Sequence, residues 1–132
     1  MKEQEPIRIL PFDLEDDLRD ANPWWRHERV SNVPPIRRWA FEPVLRRLKN
    51  GLAPAVVLRG PRQVGKTTLL LQIVHALLDE GIAPQRIFRI QFDELPDLVK
   101  RIKSREPILH LVRWYSSVIL AKRCLSCLSC RL

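Results

Sequence analysis

Between Val56 and Val74 the sequence reads VVLRGPRQVGKTTLLLQIV. Gly60, Gly65, Lys66 and Thr67 satisfy the spacing G-x-x-x-x-G-K-[ST]. The flanks matter as much as the pattern. Ala55–Arg59 (AVVLR) is a short β-branched apolar run, which suits a buried strand. Lys66–Glu80 is apolar nearly all round, with Leu69, Leu70, Leu71, Ile73, Val74, Ala76, Leu77 and Leu78, which suits an enclosed helix. The chain has only four glycines, and two of them stand at the two positions the pattern requires. The plain alternative is a helix-capping turn followed by a chance Lys-Thr.

The pattern carries a definite chemistry. Glycine lets the backbone curl so that successive N–H groups converge on phosphate oxygens. A helix that starts there adds unpaired N–H groups and the positive end of its dipole. The expected phosphate cradle is Gly60, Pro61, Arg62, Gln63, Val64, Gly65, Lys66, Thr67 and Thr68. Lys66 would bring positive charge to the β- and γ-phosphates and carry any catalysis. The Thr67 hydroxyl would ligate Mg2+, and Thr68 would reach the α-phosphate.

Around this loop the chain divides into three. Residues 1–33 read as an extended arm with a short helix near Leu14–Arg19. Asn22-Pro23-Trp24-Trp25 interrupts it. Two adjacent tryptophans either anchor an arm to a surface or stack on a base, and no further aromatic residue follows at base-reading spacing. After Pro34-Pro35, IRRWAFEPVLRRLKNG reads as an amphipathic basic helix with Pro43 in a first turn and Gly51 as its stop. Trp39, Val44, Leu45 and Leu48 recur on one side, and Arg37, Arg38, Arg46, Arg47 and Lys49 on the other. Gly81 and Pro84 end the helix after the loop, Arg86–Phe92 (RIFRIQF) reads as a second strand, and helices are expected over 94–104 and 106–120. Strand, loop, helix and strand make one βαβ unit. The expected domain assignment is an arm over 1–33, a nucleotide-binding part over 34–115 and an aberrant tail over 116–132.

Charge bears on partners. The net charge is +8, and the excess falls in residues 51–132, with thirteen Lys/Arg against six Asp/Glu. Such a balance favours polyanions. Besides nucleotide, the alternative partner is nucleic acid, met by Arg37, Arg38, Arg46, Arg47 and the run Lys100, Arg101, Lys103, Arg105. A solvated basic face explains the same residues. No run of about eighteen apolar residues is present, so no membrane partner is expected. The acidic N-terminus lacks a signal-peptide core, and a cytoplasmic location is expected.

Two constellations have rival readings. Asp93-Glu94 follows an apolar run, as the carboxylates that hold magnesium in nucleotide hydrolases do. Asp93 as the cap of the next helix explains the same residues. Cys124, Cys127 and Cys130 have C-x-x-C spacing, but His110 is the one nearby supplement toward four ligands. A reactive tail in a reduced compartment is the other reading.

The segment VVLRGPRQVGKTTLLLQIVHALLDEGIAPQRIFRIQFDEL resembles AAA-type ATPases of bacteria and archaea that often carry a C-terminal nuclease-like domain of unknown function. GPRQVGKTTLL carries most of the likeness, NPWW resembles the arm of one branch, and EPILHLVRWY resembles the helix leading to the family's acidic strand. The resemblance covers roughly residues 20–115. It implies an α/β fold, the incomplete start of a P-loop NTPase (AAA-type) parallel sheet behind a helical or extended N-terminal arm. It also implies ATP rather than GTP, and phosphate contacts for Gly60, Gly65, Lys66 and Thr67. Asp93 and Glu94 would then end an early strand. The family's later acidic strand, sensor and arginine finger have no counterpart in SSVILAKRCLSCLSCRL, where no acidic residue follows Glu106. A frameshift near Tyr115 that truncated a longer ATPase is the expectation this raises. ATP binding with Mg2+ is therefore expected and hydrolysis is not. The alternatives are a basic binding module and a non-functional fragment.

Overall fold

The computed structural model describes residues 10–51, 55–92 and 97–121. The described residues form two compact units, one from Glu28–Pro84 and one from the residues before and after it.

The Glu28–Pro84 unit is built on two helices, α2 (Phe41–Asn50) and α3 (Lys66–Asp79). α2 begins at Phe41, so Pro43 falls in its first turn, where a missing N–H costs nothing. Trp39 lies ahead of the helix and not on its apolar side. Phe41, Val44 and Leu45 are the residues α2 buries, against Ile73 and Ala76 of α3. Val56, Leu58, Leu69 and Leu77 close the edges of that cluster. Gly51 ends α2 in the left-handed conformation. α3 ends in a Schellman turn: the N–H of Gly81 meets Leu78 O at 3.0 Å, that of Ile82 meets Leu77 O at 3.0 Å, and Gly81 has φ +88°. The buried Gln72 donates from Nε2 to Pro34 O at 2.6 Å and to Ile36 O at 3.0 Å, which ties the segment before α2 to α3.

The other unit is assembled from α1 (Phe12–Ala21), a 3-10 turn at Pro23–Arg26, α4 (Leu98–Ile102) and α5 (Pro107–Trp114). A π-helical turn, Tyr115–Leu120, continues α5. Leu10, Leu14 and Leu18 form a buried stripe at intervals of four. Arg101 reaches Asp13 and Asp17, one turn apart on α1, at 2.8 Å each. Trp24 and Trp25 are buried, and both indole N–H groups donate to Ile87 O, at 2.9 and 2.8 Å. Trp25, Phe88, Trp114 and Tyr115 form one aromatic cluster, tightest between Phe88 and Tyr115, whose centroids are 4.7 Å apart. The tryptophan pair therefore spends its rings and N–H groups inside the protein. No described helix is long and apolar enough to cross a membrane.

The α/β expectation is corrected here. No strand and no sheet occur among the described residues, which are mainly helical. Both expected strands are irregular chain, and the parallel sheet and its βαβ crossover are absent from the described residues. In 55–59 the alternation survives without a ladder. Val56 and Leu58 are half-buried, whereas Ala55, Val57 and Arg59 are exposed. In 87–91 the hydrogen bonds a neighbouring strand would make are taken by side chains. Asn22 donates to Arg89 O at 3.0 Å and accepts from the Arg89 N–H at 2.7 Å, as a peptide group would. Apolar alternation makes a segment suitable for a sheet, but a strand exists only when another backbone pairs with it. Of the helix expected over 94–104, the described part is helical over Leu98–Ile102.

Two outcomes follow. Asn22→Ala leaves the N–H and C=O of Arg89 without partners, and is expected to destabilise this unit by about 1–3 kcal/mol. Urea unfolding measures the loss, and the Arg89 amide should exchange faster. In the Glu28–Pro84 unit, His75 on α3 has a buried Nε2 without a hydrogen-bond partner. Desolvation, reinforced by the Arg29 guanidinium, holds its pKa below the ordinary imidazole value, while Asp79 pulls the other way. The folded state thus resists a proton that the unfolded chain accepts. Stability is full above about pH 6.5 and declines as the pH falls from there toward the lowered value. The urea midpoint read on α3 amides should drop over that range, and His75→Leu should flatten the drop.

Candidate functional site

Each part of the loop has a local reason for its shape. A Cβ on Gly60 would meet Val64 Cγ2 at 3.3 Å, so the chain closes on itself where a side chain would crowd. Gln63 takes φ +61° and Gly65 φ +88°. The left-handed region is open to glycine and uncommon for glutamine. Gly65 caps α3 without a side-chain bond, and no acidic residue stands in the first turn. The first N–H groups of a fourteen-residue helix thus begin at the loop with no side chain as acceptor.

Lys66 folds back over this turn. Its Nζ donates to Gly60 O at 2.6 Å and to Pro61 O at 2.5 Å. Arg38 approaches from the segment before α2, and its Nη1 donates to Val64 O at 2.7 Å. Beside the loop lies a cavity of about 610 Å³. Gly60, Pro61, Val64, Gly65, Lys66 and Thr68 line it. Arg62, Gln63 and Thr67 do not, and all three are exposed. Six of the nine residues expected from the sequence therefore line one cavity.

The same cavity is lined by residues the sequence reading assigned elsewhere. Ile36, Arg38 and Trp39 line the cavity with Pro34, Leu58, Arg59, Leu69 and Gln72. Ile36 is 81% exposed and Trp39 88% exposed. Reading Trp39 as part of the apolar helix face hid this role. Pro34-Pro35 was the available signal: it fixes extended chain there, and the helix starts only at Phe41. Among the described residues the cavity wall carries Arg38, Arg59 and Lys66 and no carboxylate.

Several other sequence candidates are either outside the described residues or engaged elsewhere. Asp93 and Glu94 lie outside the described residues, as do Cys124, Cys127 and Cys130. No group of three or more His, Cys, Asp or Glu able to hold a metal occurs among the described residues. Of the basic residues, Arg37 lies 4.1 Å over the ring of Phe41, Lys100 pairs with Asp97, and Arg101 is held by Asp13 and Asp17.

Gly65→Ala forces a Cβ onto a residue at φ +88°, a left-handed conformation that is strained for alanine whatever the space around it. A cost of about 1–3 kcal/mol is expected. Thermal unfolding of the variant measures it, and unchanged stability would show that the loop relaxes elsewhere.

A family model for the AAA domain matches residues 53–125, more than half of the chain. No curated protein and no solved structure matches it.

Proposed function

Taking as premise that the chain belongs to the AAA domain family, we propose that residues 60–68 bind ATP with Mg2+. The observation that carries this reading is the convergence on one cavity of Lys66, the uncapped start of α3 and the left-handed Gly65, with no described carboxylate in the wall. Fixed N–H groups and mobile cations without a local counter-charge favour a polyanion. The exposed Ile36 and Trp39 on the same cavity favour a polyphosphate that carries an aromatic group.

In the bound state Lys66 would release Gly60 O and Pro61 O and turn its ammonium to the phosphates. Thr67, exposed at the second position of α3, is the residue whose hydroxyl fits magnesium as a hard oxygen ligand. Bound magnesium would screen the triphosphate charge. The reading is one of binding. Turnover also requires a carboxylate to orient the ion's water, and the described wall supplies none.

The rival nucleic-acid face gains less support, because Arg37, Lys100 and Arg101 are engaged within the protein. One comparison separates the readings. Calorimetric titration with ATP and Mg2+ should give saturable binding that Lys66→Ala abolishes, while retention of DNA on a filter stays unchanged. If the wild-type chain shows no saturable ATP binding, the nucleotide reading falls.

A further inference from the structure

We infer that Arg38, twenty-eight residues before Lys66 and outside the loop's sequence pattern, is a second phosphate-binding cation of this site. The inference rests on the nucleotide-binding reading and extends it to a residue that the pattern does not contain.

Three observations place Arg38 at the loop. Its Nη1 donates to Val64 O at 2.7 Å. Its guanidinium carbon stands 3.7 Å from where a Cβ of Gly65 would be, with Nη1 at 3.9 Å and Nε at 4.0 Å. It lines the same cavity as Gly60, Lys66 and Thr68. Gly65 is the residue that caps α3, so the guanidinium lies against the positive end of that helix.

The location is electrostatically costly without an anion. A guanidinium, an ammonium and a helix N-terminus repel one another, and none gains a carboxylate from the described wall. Arg38 makes no ion pair among the described residues, unlike Arg19, Arg29 and Arg101, which all do. Both loop cations instead rest on neutral backbone carbonyls, Lys66 on Gly60 and Pro61, and Arg38 on Val64. A phosphate oxygen is the stronger acceptor for each. Guanidinium also has five donors in a planar fork, and one bond to Val64 leaves donors over for a phosphate.

The position is prepared before any ligand arrives. Gln72 binds Pro34 O and Ile36 O, so the segment leading to Arg38 is already tethered to α3. Phe41 donates its N–H to Arg38 O at 3.0 Å and starts α2 directly behind it. The side chain is exposed, so its removal leaves the apolar cluster of the unit intact.

The test must separate a phosphate contact from a simple latch on Val64. Arg38→Gln keeps an N–H donor for the carbonyl and removes the charge, whereas Arg38→Lys keeps the charge. Titrations of the full chain with ATP and with inorganic tripolyphosphate, both with Mg2+, are compared with Lys66→Ala as reference. Arg38→Gln is expected to weaken both ligands by a similar factor, roughly tenfold or more. Arg38→Lys should recover part of the loss, and raised salt should weaken wild type more than Arg38→Gln. Wild-type affinity in Arg38→Gln, with Lys66→Ala still defective, overturns the role of Arg38 and leaves the loop reading standing. Weakened ATP binding with unchanged tripolyphosphate binding also overturns it, since the contact would then be to the nucleoside. ATP binding that Lys66→Ala leaves intact overturns the loop reading and this inference with it.

Discussion

The carboxamide of Asn22 meets Arg89 through two hydrogen bonds, one from Nδ2 to the carbonyl at 3.0 Å and one from the N–H to Oδ1 at 2.7 Å. The indoles of Trp24 and Trp25 add two more to Ile87 O. Irregular backbone is being satisfied by side chains where a sheet would use backbone. The Glu28–Pro84 unit follows the same rule. Gln72 serves Pro34 and Ile36, Arg38 serves Val64, and Lys66 serves Gly60 and Pro61. Extended chain away from helices must place its carbonyls somewhere, and here long-range side-chain donors decide its path.

This rule gives the site its character. The donors that hold the loop are cations, and their present acceptors are neutral carbonyls. The proposed phosphate ligand would therefore displace neutral carbonyls rather than break ion pairs. These contacts order the loop by themselves, and its donors would still be available to the proposed ligand. The helix start contributes in the same sense, because α3 has neither a capping side chain nor an acidic residue in its first turn. Ile36 and Trp39 stand exposed on the tethered segment before α2 and line the same cavity.

The helices were largely legible. Gly51 and Gly81 mark the ends of α2 and α3 because both need positive φ, which glycine takes without strain. Pro107 opens α5 for the complementary reason, its missing N–H falling in the first turn. The turn before α3 was legible too, since Gly65 takes the positive φ that glycine allows. The strands were not. Val56 and Leu58 alternate with exposed neighbours as strand residues do, yet pairing is a property of two segments and periodicity reports only one. Trp39 and Arg38 were misplaced because helical spacing was extended across Arg37–Ala40, where the chain has not yet begun its helix.

By itself the sequence determined where helices stop, where a glycine-bearing loop leads into α3 and which residues there carry charge. Those features depend on φ preference, a missing N–H or the identity of one side chain, and all are local. Tertiary structure decided that Asn22 and the two tryptophans would replace a strand partner for 87–89. It also decided that Arg38 would stand against Gly65 and that Ile36 and Trp39 would face the loop's cavity. These are contacts between residues distant in the chain, fixed by where backbone carbonyls find donors, and no local pattern encodes that choice.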